Sequence, residues 1–167
     1  AAAIPTLQAA TAKVSDTNGK EYIKSRALAV YEIRAAKNAR GKPAARVIMD
    51  ELREQKDWAA WNALSPTMKS FWNGQLWGIS NAGDSTSVVL IQQRDAAIEF
   101  IDAWHRTVES GLMDAAEYAA RHDCSLALFE WSAEPDCPKD DVEAILQSNP
   151  SIGFGSQTVE GVLADIP

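Results

Sequence analysis

Short apolar runs, each closed by polar or small residues, alternate along this chain with segments of helical spacing. The sharpest run is Arg46-Val47-Ile48-Met49-Asp50-Glu51, where three apolar residues lead straight into two adjacent carboxylates. An apolar run of this length, bounded by charge, predicts a strand buried within a sheet. A second run, Gln75-Leu76-Trp77-Gly78-Ile79-Ser80-Asn81-Ala82-Gly83, predicts a strand over about 74–80 that ends in small polar residues. A third, Ser125 to Trp131, predicts a strand that leads into an acidic, proline-containing loop.

Helical spacing fills the intervals. Glu54 to Leu64 reads as a helix with Trp58 and Trp61 on one face, which points to core packing. Ser65-Pro66 fits an N-cap followed by proline at the first helical position. Asp84-Ser85-Thr86-Ser87 precedes a long helix, roughly 87–109, with Val88, Ile91, Ile98, Ile101, Trp104 and Val108 near one stripe. Shorter helices are expected over Asp114–His122, from Asp140 to about Gln147, and over Thr158–Ile166.

The beginning is different. Residues 1–10 read as a frayed end or a short helix, and Thr11 to Ser15 alternates weakly. Asn18-Gly19 is a turn between strand-like segments, and 21–25 and 29–35 carry β-formers such as Val30, Tyr31 and Ile33. These predict an antiparallel hairpin, followed by the polar loop Lys37–Pro43. The expected class is therefore α/β: a mostly parallel sheet with helices on both faces and an N-terminal β-hairpin.

A length of 167 residues is enough for one domain with a real core. No run approaches the ~18 apolar residues of a membrane span, and the alanine-rich start lacks the basic and apolar regions of a signal peptide. Cys124 and Cys137 do not form a C-x-x-C pair. Two free thiols in a reducing compartment are expected, with a disulfide between them left open. Charge is uneven. Residues 13–56 carry 11 basic against 6 acidic side chains, and residues 57–167 carry 5 against 17. The acidic part argues against a broad nucleic-acid surface, whereas the basic part could touch phosphates locally.

The chemistry concentrates at the strand ends. Ligands of open α/β sheets bind beyond the carboxyl ends of the strands, where Asp50 and Glu51 would lie. One acid there can hold Mg²⁺ through its water shell, and its neighbour can polarise an attacking water, as in the Walker B element of a P-loop NTPase. The plain alternative is a core strand entering a polar turn. Elsewhere, His105 and His122 lack a metal-ligand pattern. The acidic run Glu134, Asp136, Asp140, Asp141, Glu143 lacks the glycine and spacing of an EF-hand.

Taken together, Val47-Ile48-Met49-Asp50-Glu51, the helix Asp57-Trp58-Ala59-Ala60-Trp61, Trp77-Gly78-Ile79-Ser80-Asn81-Ala82-Gly83, Leu128-Phe129-Glu130-Trp131-Ser132-Ala133 and Asn149-Pro150-Ser151-Ile152-Gly153 resemble, in order and spacing, the large subunit of tailed-phage terminase. That subunit is the ATP-driven motor that packages viral DNA into the procapsid. The resemblance covers about residues 12–155. It implies a RecA-like ATPase fold, with ATP and Mg²⁺ as cofactors. It places Asp50 in the Mg²⁺ shell and makes Glu51 the catalytic residue that positions or deprotonates water. It assigns the turn Ser80, Asn81, Ala82, Gly83 to coupling hydrolysis to DNA movement, and offers Arg40, beside Gly41, as a phosphate-facing residue. Double-stranded viral DNA, a terminase small subunit, a portal protein and further copies in a ring would be its partners. The setting would be the host bacterial cytoplasm, with no membrane contact.

One part is missing from the sequence. The phosphate-binding loop G-x-x-x-x-G-K-[ST] is not present, since Gly19-Lys20 and Gly41-Lys42 are followed by neither Ser nor Thr. In the family that loop lies upstream of Walker B, and an acidic nuclease cluster lies downstream. The expectation is therefore a partial ATPase domain over 1–155 and a linker over 156–167, inactive by itself. Two rivals stand beside it: a non-catalytic interaction domain with a degenerate nucleotide site, and another DNA motor such as a helicase.

Overall fold

The computed structural model describes residues 4–35 and 41–166. Arg40 lies outside the described residues. The chain divides into two compact units, residues 1–96 and 97–167, with the boundary inside one helix.

The first unit opens with helix α1 (Pro5–Ala10), with proline in its first turn. Three antiparallel strands follow: β1 (Thr11–Ser15), β2 (Tyr22–Ser25) and β3 (Val30–Glu32), in the order β1-β2-β3. Gly19 takes the left-handed conformation that the Asn18-Gly19 turn needs. The expected hairpin is thus present and extended by a strand. Val14, Ile23 and Tyr31 stand opposite one another across the three strands.

The run at Arg46 does form a strand, β4 (Arg46–Met49), and the run at Gln75 forms β5 (Gln75–Gly78). They pair in parallel, with Val47 opposite Leu76, Ile48 opposite Trp77 and Met49 opposite Gly78. Helix α2 (Ala59–Met68) carries the chain between them. Met49, Leu52 and Val89 are the buried heart of this unit, and Val47, Trp58, Trp61, Leu64 and Leu76 pack around them. The two indoles meet edge to face at 5.7 Å, which accounts for their i, i+3 spacing as core.

Three expectations are corrected. Among the described residues the sheet is not mostly parallel: its parallel part has two strands, and the three N-terminal strands form a separate antiparallel sheet. Nor, among the described residues of the first unit, do helices cover both faces of the parallel pair. Val47 and Met49 point into the core, whereas Ile48 is 57% exposed and Trp77 47% exposed on the opposite face. The stretch 125–131 is not a strand at all. Phe129 and Trp131 are largely exposed; an apolar run becomes a strand only when another strand lies alongside to take its backbone hydrogen bonds.

Ser65-Pro66 also starts nothing, for Pro66 lies inside the last turn of α2. Two residues from the helix end, its missing N–H removes one late rung rather than breaking the helix. Helix α3 (Val88–Trp104) runs on as a single wide turn at His105–Glu109, which together match the expected span.

In the second unit, α4 (Ala115–Arg121) is capped by Asp114, whose carboxylate accepts the Glu117 N–H at 2.9 Å. Tyr118 is its buried centre, with Phe100, Trp104 and His122 against its ring. The sequence suggests Asp140 as the cap of the helix that follows it, but α5 (Val142–Ser148) is capped by Asp141, and α6 (Val159–Ala164) is capped by Thr158. Cys124 and Cys137 are free. Among the described residues no helix is long and apolar enough to cross a membrane.

Candidate functional site

Because β4 and β5 are parallel neighbours, their carboxyl ends reach the same edge. Three hydrogen bonds then stitch the two exits together. Ile79 donates its N–H to the Met49 carbonyl at 2.9 Å, Leu52 donates to the Ile79 carbonyl at 3.0 Å, and Arg53 donates to the Ser80 hydroxyl oxygen at 3.0 Å. The Asp50–Glu51 corner and the start of the Ser80 turn are therefore one structural piece. Asn81 and Ala82 continue that turn on the surface.

Asp50 is exposed, and one of its carboxylate oxygens accepts the Glu51 N–H at 3.0 Å. Glu51 adopts the left-handed conformation, φ 53° and ψ 50°. A side chain with a Cβ pays about 1–2 kcal/mol there, and such outliers gather at functional sites. The corner leads into the tight turn Leu52–Glu54, anchored by Leu52, which is 4% exposed. Leu52 fits beneath Gly78: a Cβ on that glycine would stand 2.7 Å from the Leu52 Cδ2.

The carboxylate of Glu51 has a neighbour that the sequence did not single out. Arg53 Nε lies 2.9 Å from Glu51 Oε2 and 3.5 Å from Glu54 Oε1. Nε itself is buried and makes no aligned hydrogen bond, so the contact is an ion pair held by charge alone. The two side chains remain 36% and 50% exposed; such pairs contribute about 0.2–1 kcal/mol. Glu51 is thus engaged but readily released.

On the far side of the turn, Gly83 touches the start of α3. A Cβ there would lie 2.4 Å from the Ser87 Oγ and 2.6 Å from its Cβ. Packing against Ser87, 1% exposed, requires glycine at this position. Asp84 Oδ1 accepts from the Thr86 hydroxyl at 2.6 Å and the Thr86 N–H at 2.7 Å. Those bonds, with a smaller contribution from Lys56 at 3.7 Å, hold the Asp84 carboxyl below its ordinary value.

The described end of the basic loop, Gly41–Pro43, is engaged elsewhere. Lys42 pairs with Glu32, as does Arg34, and these cations lower the Glu32 pKa, the Lys42 hydrogen bond most of all. An open hollow of about 420 Å³ lined by Lys42, Pro43, Asn62 and Thr67 lies before the amino end of β4, not at the Asp50 edge. Among the described residues no group of three metal-ligating side chains occurs.

Of the residues expected at the site, the structure brings Asp50, Glu51 and Ser80 to one edge, with Arg53 linking Glu51 to Ser80, and Gly83 follows in the same turn. Arg53 and Lys56 are additions. The sequence held one clue to Arg53, a lone cation between Glu51 and Glu54. No protein-family model, no characterised protein and no solved structure significantly matches the chain.

Proposed function

We propose that this chain is the Walker B and coupling part of a RecA-like motor ATPase of the terminase large-subunit type, one that drives viral DNA into a procapsid. The observation that carries the reading is the parallel pairing of β4 with β5, which puts Asp50, Glu51 and the Ser80 turn at one edge. Two further observations support it. Glu51 keeps a carboxylate in a backbone conformation that disfavours it. The partly exposed Ile48–Trp77 face suits strands that are covered further when the rest of an ATPase domain packs there.

Exposed carboxylates in pairs fit Mg²⁺-ATP in one particular way. Mg²⁺ keeps several waters and takes its inner ligands from one or two carboxylates and the substrate phosphates, rather than from an all-protein cage. Asp50 would hold that hydrated ion, which supplies charge neutralisation at the phosphates. Glu51 would then accept the proton of an attacking water, once released from Arg53. The Ser80–Gly83 turn would report the state of the nucleotide to the remainder of the motor. No phosphate cradle is encoded in these residues, so the 167-residue chain alone should hydrolyse ATP little or not at all.

The deciding experiment is ATP hydrolysis by the intact protein, wild type against Glu51→Gln. Glutamine keeps the shape and removes the charge that polarises water. Turnover should fall by about 10²–10⁴-fold with nucleotide binding preserved. Equal rates would make Glu51 a strand-end carboxylate only. The missing phosphate loop would then favour the second reading, a non-catalytic interaction domain.

A further inference from the structure

We propose that Ser80 is a positioning residue that acts on Glu51 through Arg53, so that movement of the turn after β5 decides whether the Glu51 carboxylate is free. The consequence for catalysis rests on the reading of Glu51 as the water-polarising group; the mechanical link does not.

The link is built from three contacts in series. The Ser80 hydroxyl oxygen accepts the Arg53 N–H, in a part-buried position. The Arg53 side chain then reaches back across its own turn to Glu51 and Glu54. Its Nε is buried there without an aligned hydrogen bond, so the Nε contact with Glu51 is set by the backbone that carries the side chain and by charge, not by a directional bond at that atom. A group held in that way follows the backbone that carries it.

That backbone has little freedom at one end and one polar tether at the other. Leu52 is wedged beneath Gly78, and its N–H is bonded to the Ile79 carbonyl. Arg53 is thus fastened to the end of β5, not merely to β4 from which its chain runs. If residues 79–80 shift relative to β4, the Leu52–Arg53 segment shifts with them and the Arg53–Glu51 contact changes. A half-exposed ion pair suits this purpose, because the solvent at its rim lets it open at the cost of only a few-fold in population. The glutamate stays occupied while the turn is at rest and is released when the turn moves.

Hydrogen exchange on the ¹⁵N-labelled chain tests this without nucleotide. Two sites are followed, the Arg53 backbone amide and the Arg53 Nε–H. The Ile91 amide in α3, bonded to the Ser87 carbonyl, reports general loosening. Ser80→Ala should speed exchange at the Arg53 amide by about tenfold, the worth of one hydrogen bond, and should speed Nε–H exchange as well, with Ile91 unchanged. Ser80→Thr, which keeps a hydroxyl, should restore both. Should Ser80→Ala loosen the whole unit, Ser80→Thr against Ser80→Val makes the same comparison between side chains of one shape. A hydroxyl-dependent change confined to the Arg53 amide, with Nε–H exchange untouched, would overturn the proposal, since the bond would then be local. Failure of the Glu51→Gln hydrolysis test would leave the exchange result standing, and the reverse also holds, so the two ideas fall separately.

Discussion

Gly83 and Ser87 are in contact so close that no side chain fits between them. A Cβ on Gly83 would stand 2.4 Å from the Ser87 Oγ. Ser87 cannot withdraw, because it is 1% exposed and its hydroxyl accepts the Asp84 N–H at 3.1 Å. Gly83→Ala should therefore destabilise the first unit by about 1–3 kcal/mol, the usual cost of overpacking. Urea denaturation of the variant checks this, and an unchanged midpoint would show that the turn can relax around the methyl.

The left-handed backbone at Glu51 gives a second expectation. Two variants separate strain from charge. Glu51→Gln loses the ion pair to Arg53 but keeps the Cβ, and so keeps the strain. Glu51→Gly loses the ion pair and the strain together. The glycine variant should be the more stable of the two by about 0.5–1 kcal/mol, read as the difference between their denaturation midpoints. If glutamine matches or exceeds glycine, position 51 carries no strain, and one support for a functional glutamate disappears.

The carboxylate edge was legible in the sequence because it depends on local pattern. Two apolar runs, separated by a single helical segment, predict parallel neighbours, and residues that follow parallel strands share an edge. The helices after Asp114 and Thr158 were legible from local pattern as well, and the structure adds that each of those side chains caps an N–H three residues on. What escaped depends on partners distant in sequence. Leu126, Phe129 and Trp131 have the composition of a strand, but among the described residues no strand pairs with that stretch. Pro66 reads as a helix start unless the helix already present is known to tolerate it in its last turn. Arg53 looks like one more surface cation until the Ser80 hydroxyl, 27 residues further on, is seen to hold its backbone.

Asp84 adds a pH dependence. Its carboxyl is held below the ordinary value chiefly by the Thr86 hydroxyl and N–H. The unfolded chain therefore takes up this proton at a higher pH than the folded one. The resulting stability is present in full above the unfolded value of ~3.9 and is lost as pH falls through the lower folded value. Asp84→Asn should flatten the acid limb of the stability curve in that window. If the variant's acid limb has the wild-type slope, the Thr86 bonds are not formed in solution.

The last prediction divides the labour between the two adjacent acids. Glu51 is tied to Arg53, whereas Asp50 faces solvent with only the Glu51 N–H on one oxygen. Asp50 is therefore the carboxylate with acceptor capacity to spare for a hydrated cation, and Glu51 the one whose availability changes. In the intact protein, Asp50→Asn should weaken nucleotide binding in the presence of Mg²⁺ and have little effect without it, because asparagine keeps the hydrogen-bond acceptor and loses the charge that attracts the ion. A loss of about tenfold is expected, the usual scale for one charge-assisted contact. Glu51→Gln should leave the Mg²⁺-dependent affinity intact while turnover falls. Calorimetric titration of each variant with a non-hydrolysable ATP analogue, with and without Mg²⁺, separates the two roles. If Asp50→Asn binds as tightly as wild type in Mg²⁺, or if both variants lose affinity equally, Asp50 does not hold the ion and the assignment of roles at this edge must be abandoned.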